Sequence, residues 1–401
     1  MTIISERISP LGIFVSYASG CLTDYMPHGD GLICFSILDG LARRGHEVFA
    51  CTPYSAIRVS SPRLQVSLLE RVIPADSLAG WEGLWRARQL LKQLVRSERI
   101  DVTWRMHPYG EGCPGKPPTL GRPLIIGPLF RGWPPEAGAS DPPLPRRFGF
   151  RIGKYLQPLA RRGWDRAMGS AGLILCATPN HAREVRRAYP KAKVIVTPVM
   201  VDPPSETQPR VRWNGQGPFR LVFVANLVRG KNARLFCEVV AELRRRGADV
   251  RGTLIGEGSE RAAIEELIAA SGLAEHICLL GQVSNADVFD HLRASHLLLS
   301  ASVGEPYGRG IAEAMAVGTP AVCHRSGGPS EFVTHDQDGL LIDEMSAAAY
   351  ATAILRVVAS PSSWESLAEG ALRTAARWKS EVVLETIEEA LVGLLRGRVS
   401  G

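Results

Sequence analysis

The sequence has no uninterrupted apolar run of about 18 residues, so nothing in it reads as a membrane-spanning helix. A short apolar stretch, Gly12 to Tyr17, lies near the N-terminus. It is not followed by the cleavage site of a secretory leader. No two of the eight cysteines are spaced C-x-x-C, and no cysteine and histidine spacing suggests a metal site. They stand singly at 21, 34, 51, 113, 176, 237, 278 and 323, several within apparent core strands or helices. They read as reduced thiols of a cytoplasmic protein. There is no internal repeat. Lysine is scarce, with seven among 47 basic residues, and such an arginine-heavy chain points to a GC-rich bacterial genome.

What is present fits a soluble globular chain. At 401 residues it has the length for two domains with sizeable cores, and 45% apolar against 22% charged residues is ordinary for such domains. Charge is unevenly spread. Residues 1–199 carry 27 Lys and Arg against 15 Asp and Glu, so +12; residues 200–401 carry 20 against 25, so −5. A basic first half favours an anionic acceptor or an anionic membrane surface. Arg146-Arg147-Phe-Gly-Phe-Arg151, continuing through Lys154 to Trp164, mixes basic and aromatic residues in the manner of a peripheral membrane contact. A surface helix packed on its own domain explains it equally simply. No nucleic-acid-binding module accompanies the charge, so nucleic acid is not an expected partner.

Strands and helices alternate along the chain, the pattern of doubly wound α/β sheets. Expected strands are Gly12 to Tyr17, Glu47 to Cys51, Asp101 to Met106, Pro123 to Ile126, Gly172 to Ala177, Val194 to Thr197, Phe219 to Val224 and Arg251 to Ile255. Expected helices run over about Leu32 to Arg44, Trp85 to Arg96, Ala233 to Arg246 and Lys379 to Leu395. The linker falls in Pro198-Val-Met-Val-Asp-Pro-Pro204, giving domains 1–198 and 199–378 and a last helix in 379–401. Pro134 to Pro145 reads as a loop.

The densest signal is Ser302-Val-Gly-Glu305-Pro-Tyr307-Gly308-Arg309-Gly310-Ile-Ala-Glu313. Two carboxylates flank a glycine turn that opens a short helix of good formers. Gly318 suits the left-handed position that ends it, and Pro320 blocks continuation. Free N–H groups and the positive dipole end at the helix start make a diphosphate site. Glu313 could accept two hydrogen bonds from a ribose diol. It could equally pair with Arg309 at i, i+4. Asp336-Gln-Asp338 is formally D-x-D, but it lies in a polar turn before Gly339 and reads as loop.

With its continuation, AMAVGTPAVCHRSGG, this stretch resembles the C-terminal signature of the family-4 retaining glycosyltransferases, densely over 219–343 and more thinly before 200. The resemblance implies a GT-B fold, two doubly wound Rossmann-like domains facing a central cleft, with the last helix crossing back to the first domain. It implies that Glu305 contacts the transferred sugar and Glu313 the ribose. Backbone at Tyr307, Gly308, Arg309 and Gly310 would hold the diphosphate. Lys231 matches a phosphate-binding lysine. Asn226 stands where the family has a phosphate-binding arginine, and Arg229 is a candidate replacement. Gly256 and Glu257 match a turn beside the nucleotide, and Val283 would border the base.

In the first half, Gly29 matches one glycine of a family pair, while His28 replaces the other. Trp104-Arg105-Met-His107-Pro108 and Gly127-Pro-Leu-Phe-Arg131-Gly132 resemble an R-x-x-P turn and a GPL-x-GG turn of one subgroup. His28, His107 and Arg131 are the candidates on the acceptor side. The implied reaction is retaining transfer of a hexosyl group from a nucleotide diphosphosugar to an acceptor hydroxyl of a glycan, glycolipid or secondary metabolite. UDP-sugars rank first as donors and GDP-mannose second. No cofactor or metal is expected, because fixed cations and the helix end supply the positive charge. Two other readings stay open: a sugar-nucleotide epimerase or hydrolase on the same architecture, and a non-catalytic partner subunit suggested by Asn226 and His28.

Overall fold

The computed structural model describes residues 9–19, 21–25, 29–69, 77–106, 117–130, 162–204, 209–302 and 304–399. They form two compact units. One holds the described residues up to Met200 together with those from Ser380 onward; the other is Val201–Lys379.

In the first unit, β1 (Gly12–Tyr17), β2 (Cys21–Thr23), α1 (Gly29–Arg43), β3 (Glu47–Thr52), β4 (Tyr54–Ala56), β5 (Leu64–Leu68), α2 (Ser77–Ser97), β6 (Val102–Arg105) and β7 (Leu124–Leu129) follow one another. Residues 162–170 are helical (α3), then come β8 (Leu173–Cys176), α4 (Pro179–Ala188) and β9 (Lys193–Val196). Seven strands make one parallel sheet in the order β5-β3-β1-β6-β7-β8-β9, and β2 and β4 form a small parallel pair. The inner strands are buried throughout, as expected of parallel strands covered on both faces. Leu91 of α2 joins Phe14, Phe49 and Ile100 in one core cluster.

The second unit runs β10 (Phe219–Val224), α5 (Ala233–Arg245), β11 (Val250–Ile255), α6 (Arg261–Ala270), β12 (Ile277–Gly281), α7 (Asn285–Arg293), β13 (Leu297–Ser300), α8 (Arg309–Ala316), β14 (Ala321–His324), β15 (Gly339–Ile342), α9 (Ala347–Val358) and α10 (Pro361–Ala375). Its six strands are parallel in the order β12-β11-β10-β13-β14-β15. Chain order reverses direction between β10 and β13, which makes that pair the switch point of the sheet. The core beneath joins Phe223, Phe236, Leu254, Tyr350 and Trp364.

The last helix, α11 (Ser380–Val399), belongs to the first unit. Arg44 donates to Glu388 Oε2 at 2.9 and 2.6 Å, and His46 Nε2 lies 3.0 Å from Glu388 Oε1. His46 Nδ1 accepts the N–H of Leu11, so Nε2 carries the proton given to Glu388.

Most boundaries move by a residue or two from those read in the sequence. Two helices extend further. α1 starts at Gly29, within the glycine loop, and α2 starts at Ser77. β5 is an addition: it pairs β3 on the sheet edge, and the apolar-polar alternation of Leu64-Gln-Val-Ser-Leu68 was its signal in the sequence. Burial pushes the thiols of Cys51, Cys176, Cys237 and Cys323 up to about 12, so these cysteines are packing residues. Among the described residues no helix is long and apolar enough to cross a membrane.

Candidate functional site

The residues of the glycine turn converge on the carboxyl ends of β10 and β13. β13 ends at Ser300, and Glu305 lies on the loop that follows. Lys231 closes a single 3₁₀ turn, Arg229–Lys231, on the loop after β10. Its Nζ reaches Glu305 Oε2 at 2.5 Å, joining the two loops across the switch point. Arg229 stands two residues earlier, and 3₁₀ geometry turns it about 120° away. It lines a separate surface depression with Val228, Asn232, Ala233, Arg234 and Glu260. Asn226 is exposed on the same loop and brings no charge.

Gly308 adopts φ 99°, a left-handed conformation natural to glycine, and starts α8 with no side-chain cap. Ile311 and Ala312 turn their N–H groups back to Gly308 O, while the N–H groups of the first turn point out of the helix end. Gly310 packs beside β10: a Cβ there would lie 3.3 Å from Val224 O. Arg309 Nε donates to Glu313 at 2.7 Å, and Glu313 is buried. The i, i+4 pair foreseen as the alternative therefore exists, and it leaves Glu313 one helix turn from the open N–H groups. Gly318 ends the helix at φ 77°.

The turn after β14 clamps this loop. Gly328 donates to Glu305 O at 2.8 Å, and a Cβ on Gly328 would lie 2.4 Å from Pro306 O. This turn was not among the expected site features; the Ser326-Gly-Gly328 string is its signal in the sequence. Tyr307 is buried with its ring 5.2 Å from that of Phe332, so backbone is what it offers a ligand.

The loops after β11 and β12 continue the same edge. Gly256 donates to Gly281 O at 2.9 Å, and Leu227 donates to Glu257 O at 2.8 Å. The Glu257 side chain pairs with Arg261, which also holds Glu265. Val283 follows β12, half-buried. In the first unit, Gly29 is the first residue of α1. His28, His107 and Arg131 lie outside the described residues, as do the Pro134 to Pro145 stretch and the basic-aromatic segment up to residue 161.

Asp336 and Asp338 are held by structure. Arg356 binds Asp336 at 2.9 and 3.0 Å, while Asp338 accepts from the Thr334 N–H and from Thr374. Among the described residues no group of histidine, cysteine and acidic side chains could hold a metal ion.

Residues 205–374, which contain this whole arrangement, match the family model of the glycosyl transferases group 1. Over this segment, somewhat under half of its length, the chain is similar to the group 1 glycosyl transferases. An alpha-D-kanosaminyltransferase of Streptomyces kanamyceticus is 24% identical over 368 residues, 85% of this chain and 93% of that protein. A D-inositol 3-phosphate glycosyltransferase of Pseudarthrobacter chlorophenolicus is 30% identical over 213 residues, 49% of this chain and 50% of the relative. Anabaena HepE, solved in complex with UDP, superposes with a TM-score of 0.67 at 17% identity, covering 96% of this chain and all of HepE. That likeness establishes the GT-B fold of this chain, with its two Rossmann-like sheets.

Proposed function

We propose that this glycosyltransferase moves a hexosyl group from a nucleotide diphosphosugar to an acceptor hydroxyl, with retention at the anomeric carbon and without a metal ion. The observation that carries the reading is the Lys231–Glu305 pair, set across the β10–β13 switch point beside the open start of α8. A diphosphate would take the α8 N–H groups and Lys231, and Glu313 would hold the ribose. Glu305 would then exchange its lysine for sugar hydroxyls.

In the transfer, the bond from the anomeric carbon to the leaving phosphate oxygen breaks and a bond to the acceptor oxygen forms. The acceptor proton passes to a leaving-phosphate oxygen, so the enzyme needs no nucleophile of its own. Lys231 and the helix end stabilise the charge that grows on the diphosphate. Arg229 could approach it only by turning from its depression. UDP is the favoured donor nucleotide, in keeping with HepE, and GDP ranks second. The acceptor is a glycan, a glycolipid or a small natural product. We place the protein in the cytoplasm, with its basic first half suited to an anionic acceptor or membrane face.

The test is binding of UDP, GDP, ADP and TDP without metal, followed by transfer assays, on wild type, Glu313→Ala and Glu305→Ala. Glu313→Ala should weaken nucleotide binding, and Glu305→Ala should mainly slow transfer. Unchanged behaviour in both variants would sink the assignment. Exposed, uncharged Asn226 favours one second reading, a non-catalytic partner subunit, and absence of any nucleotide response in wild type would support it.

A further inference from the structure

The sheet of the first unit has a switch point of its own. β3 and β5 lie on one side of β1, and β6 begins the other half. The last residues of the two central strands, Tyr17 and Arg105, are register partners. Loops leaving such a strand pair form the crevice where open α/β sheets take their ligands.

Arg105 is only 5% exposed, and its guanidinium lies 5.0 Å from the centre of the Tyr17 ring. Its Nε is buried and, among the described residues, has neither a hydrogen-bond acceptor nor an ion-pair partner. A ring face attracts the charge but accepts none of the in-plane N–H groups. Ser19, two residues beyond Tyr17, adds a second buried group at this edge, a hydroxyl also without a partner among the described residues. Arg293 in the second unit is the contrast. Equally buried, it donates to Pro204 O at 2.8 Å and to Asp290 at 3.2 Å. There a buried arginine that serves the fold is satisfied by the fold. Buried charge without a partner is retained where a ligand completes it.

We propose that Arg105 is an oxyanion-binding residue of the transferase, holding a phosphate or carboxylate group of a substrate at the carboxyl edge of the first unit's sheet. The planar guanidinium suits both anions bidentately. The inference rests on the transferase reading only in taking a substrate as the source of the anion. That source is either the donor diphosphate or an acidic acceptor.

The experiment titrates full-length protein with inorganic phosphate and, separately, with UDP, following melting temperature. Wild type, Lys231→Ala, Arg105→Gln and Arg105→Lys are compared. Phosphate should still stabilise Lys231→Ala, which lacks the other proposed phosphate-binding cation. Its apparent affinity should fall roughly tenfold or more in Arg105→Gln and by a smaller factor in Arg105→Lys, which keeps the charge but loses the fork. Arg105→Lys also serves if the glutamine variant does not fold. Arg105→Gln without ligand should melt no lower than wild type, because it removes an unpartnered charge; a purely structural arginine would lower it. Weakened UDP binding in Arg105→Gln would assign the anion to the donor, and unchanged UDP binding with lost phosphate affinity would assign it to the acceptor. Equal phosphate affinity in wild type and Arg105→Gln, or a phosphate response abolished by Lys231→Ala alone, would overturn the proposal. Failure of wild type to bind UDP would count against the donor reading and leave the phosphate comparison intact.

Discussion

Lys231 Nζ and Glu305 Oε2 lie 2.5 Å apart although 74 positions separate them in the chain. The ammonium is about one-third exposed and the carboxylate less so, so the pair sits at the mouth of the site and not in the core. On the proposed reading, a donor diphosphate would compete with Glu305 for the same cation, and its binding would free the carboxylate for the transferred sugar.

Replacing Lys231 should separate chemistry from folding. Lys231→Ala is expected to reduce kcat by roughly a hundredfold to a thousandfold, the usual cost of losing one group that stabilises transition-state charge. A partly exposed ion pair contributes about 1 kcal/mol or less, so the melting temperature should scarcely move. Steady-state kinetics and calorimetry check both. Wild-type kcat in this variant would remove Lys231 from the mechanism.

Gly328→Ala tests the clamp on the Glu305 loop. The new Cβ would meet backbone on two sides, Pro306 O at 2.4 Å and Tyr307 Cα at 2.5 Å. Backbone cannot yield as a flexible side chain does, so a loss of about 1–3 kcal/mol in stability is expected. Donor affinity should fall with it, because Glu305 and the start of α8 shift. Gly169→Ala, which meets nothing within 4 Å, is the control. Equal denaturant midpoints for the two variants would remove the steric argument.

Attachment of α11 should depend on acid pH. Burial alone would raise the Glu388 carboxyl, but hydrogen bonds from His46 and Arg44 outweigh it and hold the pKa below the ordinary 4.5. The unfolded chain therefore takes up this proton at higher pH than the folded one. The stabilisation is complete above the ordinary carboxylate range and is lost as pH falls through the lowered value. Glu388→Gln should melt lower than wild type at pH 7, and the gap should close as pH falls through the lowered carboxyl pKa. A gap independent of pH would exclude the linkage.

His296 sets a second, higher window. Burial, with the Arg220 charge adding to it, pushes this imidazole down from 6.5 to about 4. It packs among Trp213, Phe219 and Trp364 and accepts the Arg220 N–H at Nδ1, so it folds neutral. Between these two values the unfolded chain binds more protons, so stability falls as pH drops through the window. His296→Asn should be less stable at pH 7 but show a flatter melting curve between pH 6.5 and 4. NMR titration of the ring gives the pKa directly, and an ordinary value would refute the assignment.

Local chemistry made much of the second unit legible in advance. Phe219 to Val224 is apolar enough to be read as a strand from end to end, and α5 begins at the expected Ala233. The start of α8 at Arg309 and its end before Gly318 follow from glycine conformations and the proline beyond. The i, i+4 partnership of Arg309 and Glu313 is also written in spacing alone.

Other features depend on residues distant in sequence, and spacing says nothing about them. The chain shows two cations at 229 and 231, but the tertiary fold turns Lys231 to Glu305 and Arg229 to its own depression. Spacing shows Arg105 only as the first residue of an R-x-x-P turn; its burial at the end of β6, with Nε lacking a hydrogen-bond partner among the described residues, is a tertiary fact. α11 is amphipathic anywhere, yet Glu388 finds Arg44 and His46 more than 340 residues away. Sequence by itself determined the class of the fold and the local shape of the glycine turn that opens α8, because backbone preference and apolar periodicity act over a few residues. Only the tertiary structure decided which charges meet and which stay buried alone, because strand order brings distant loops to one sheet edge and burial is a property of the packed whole.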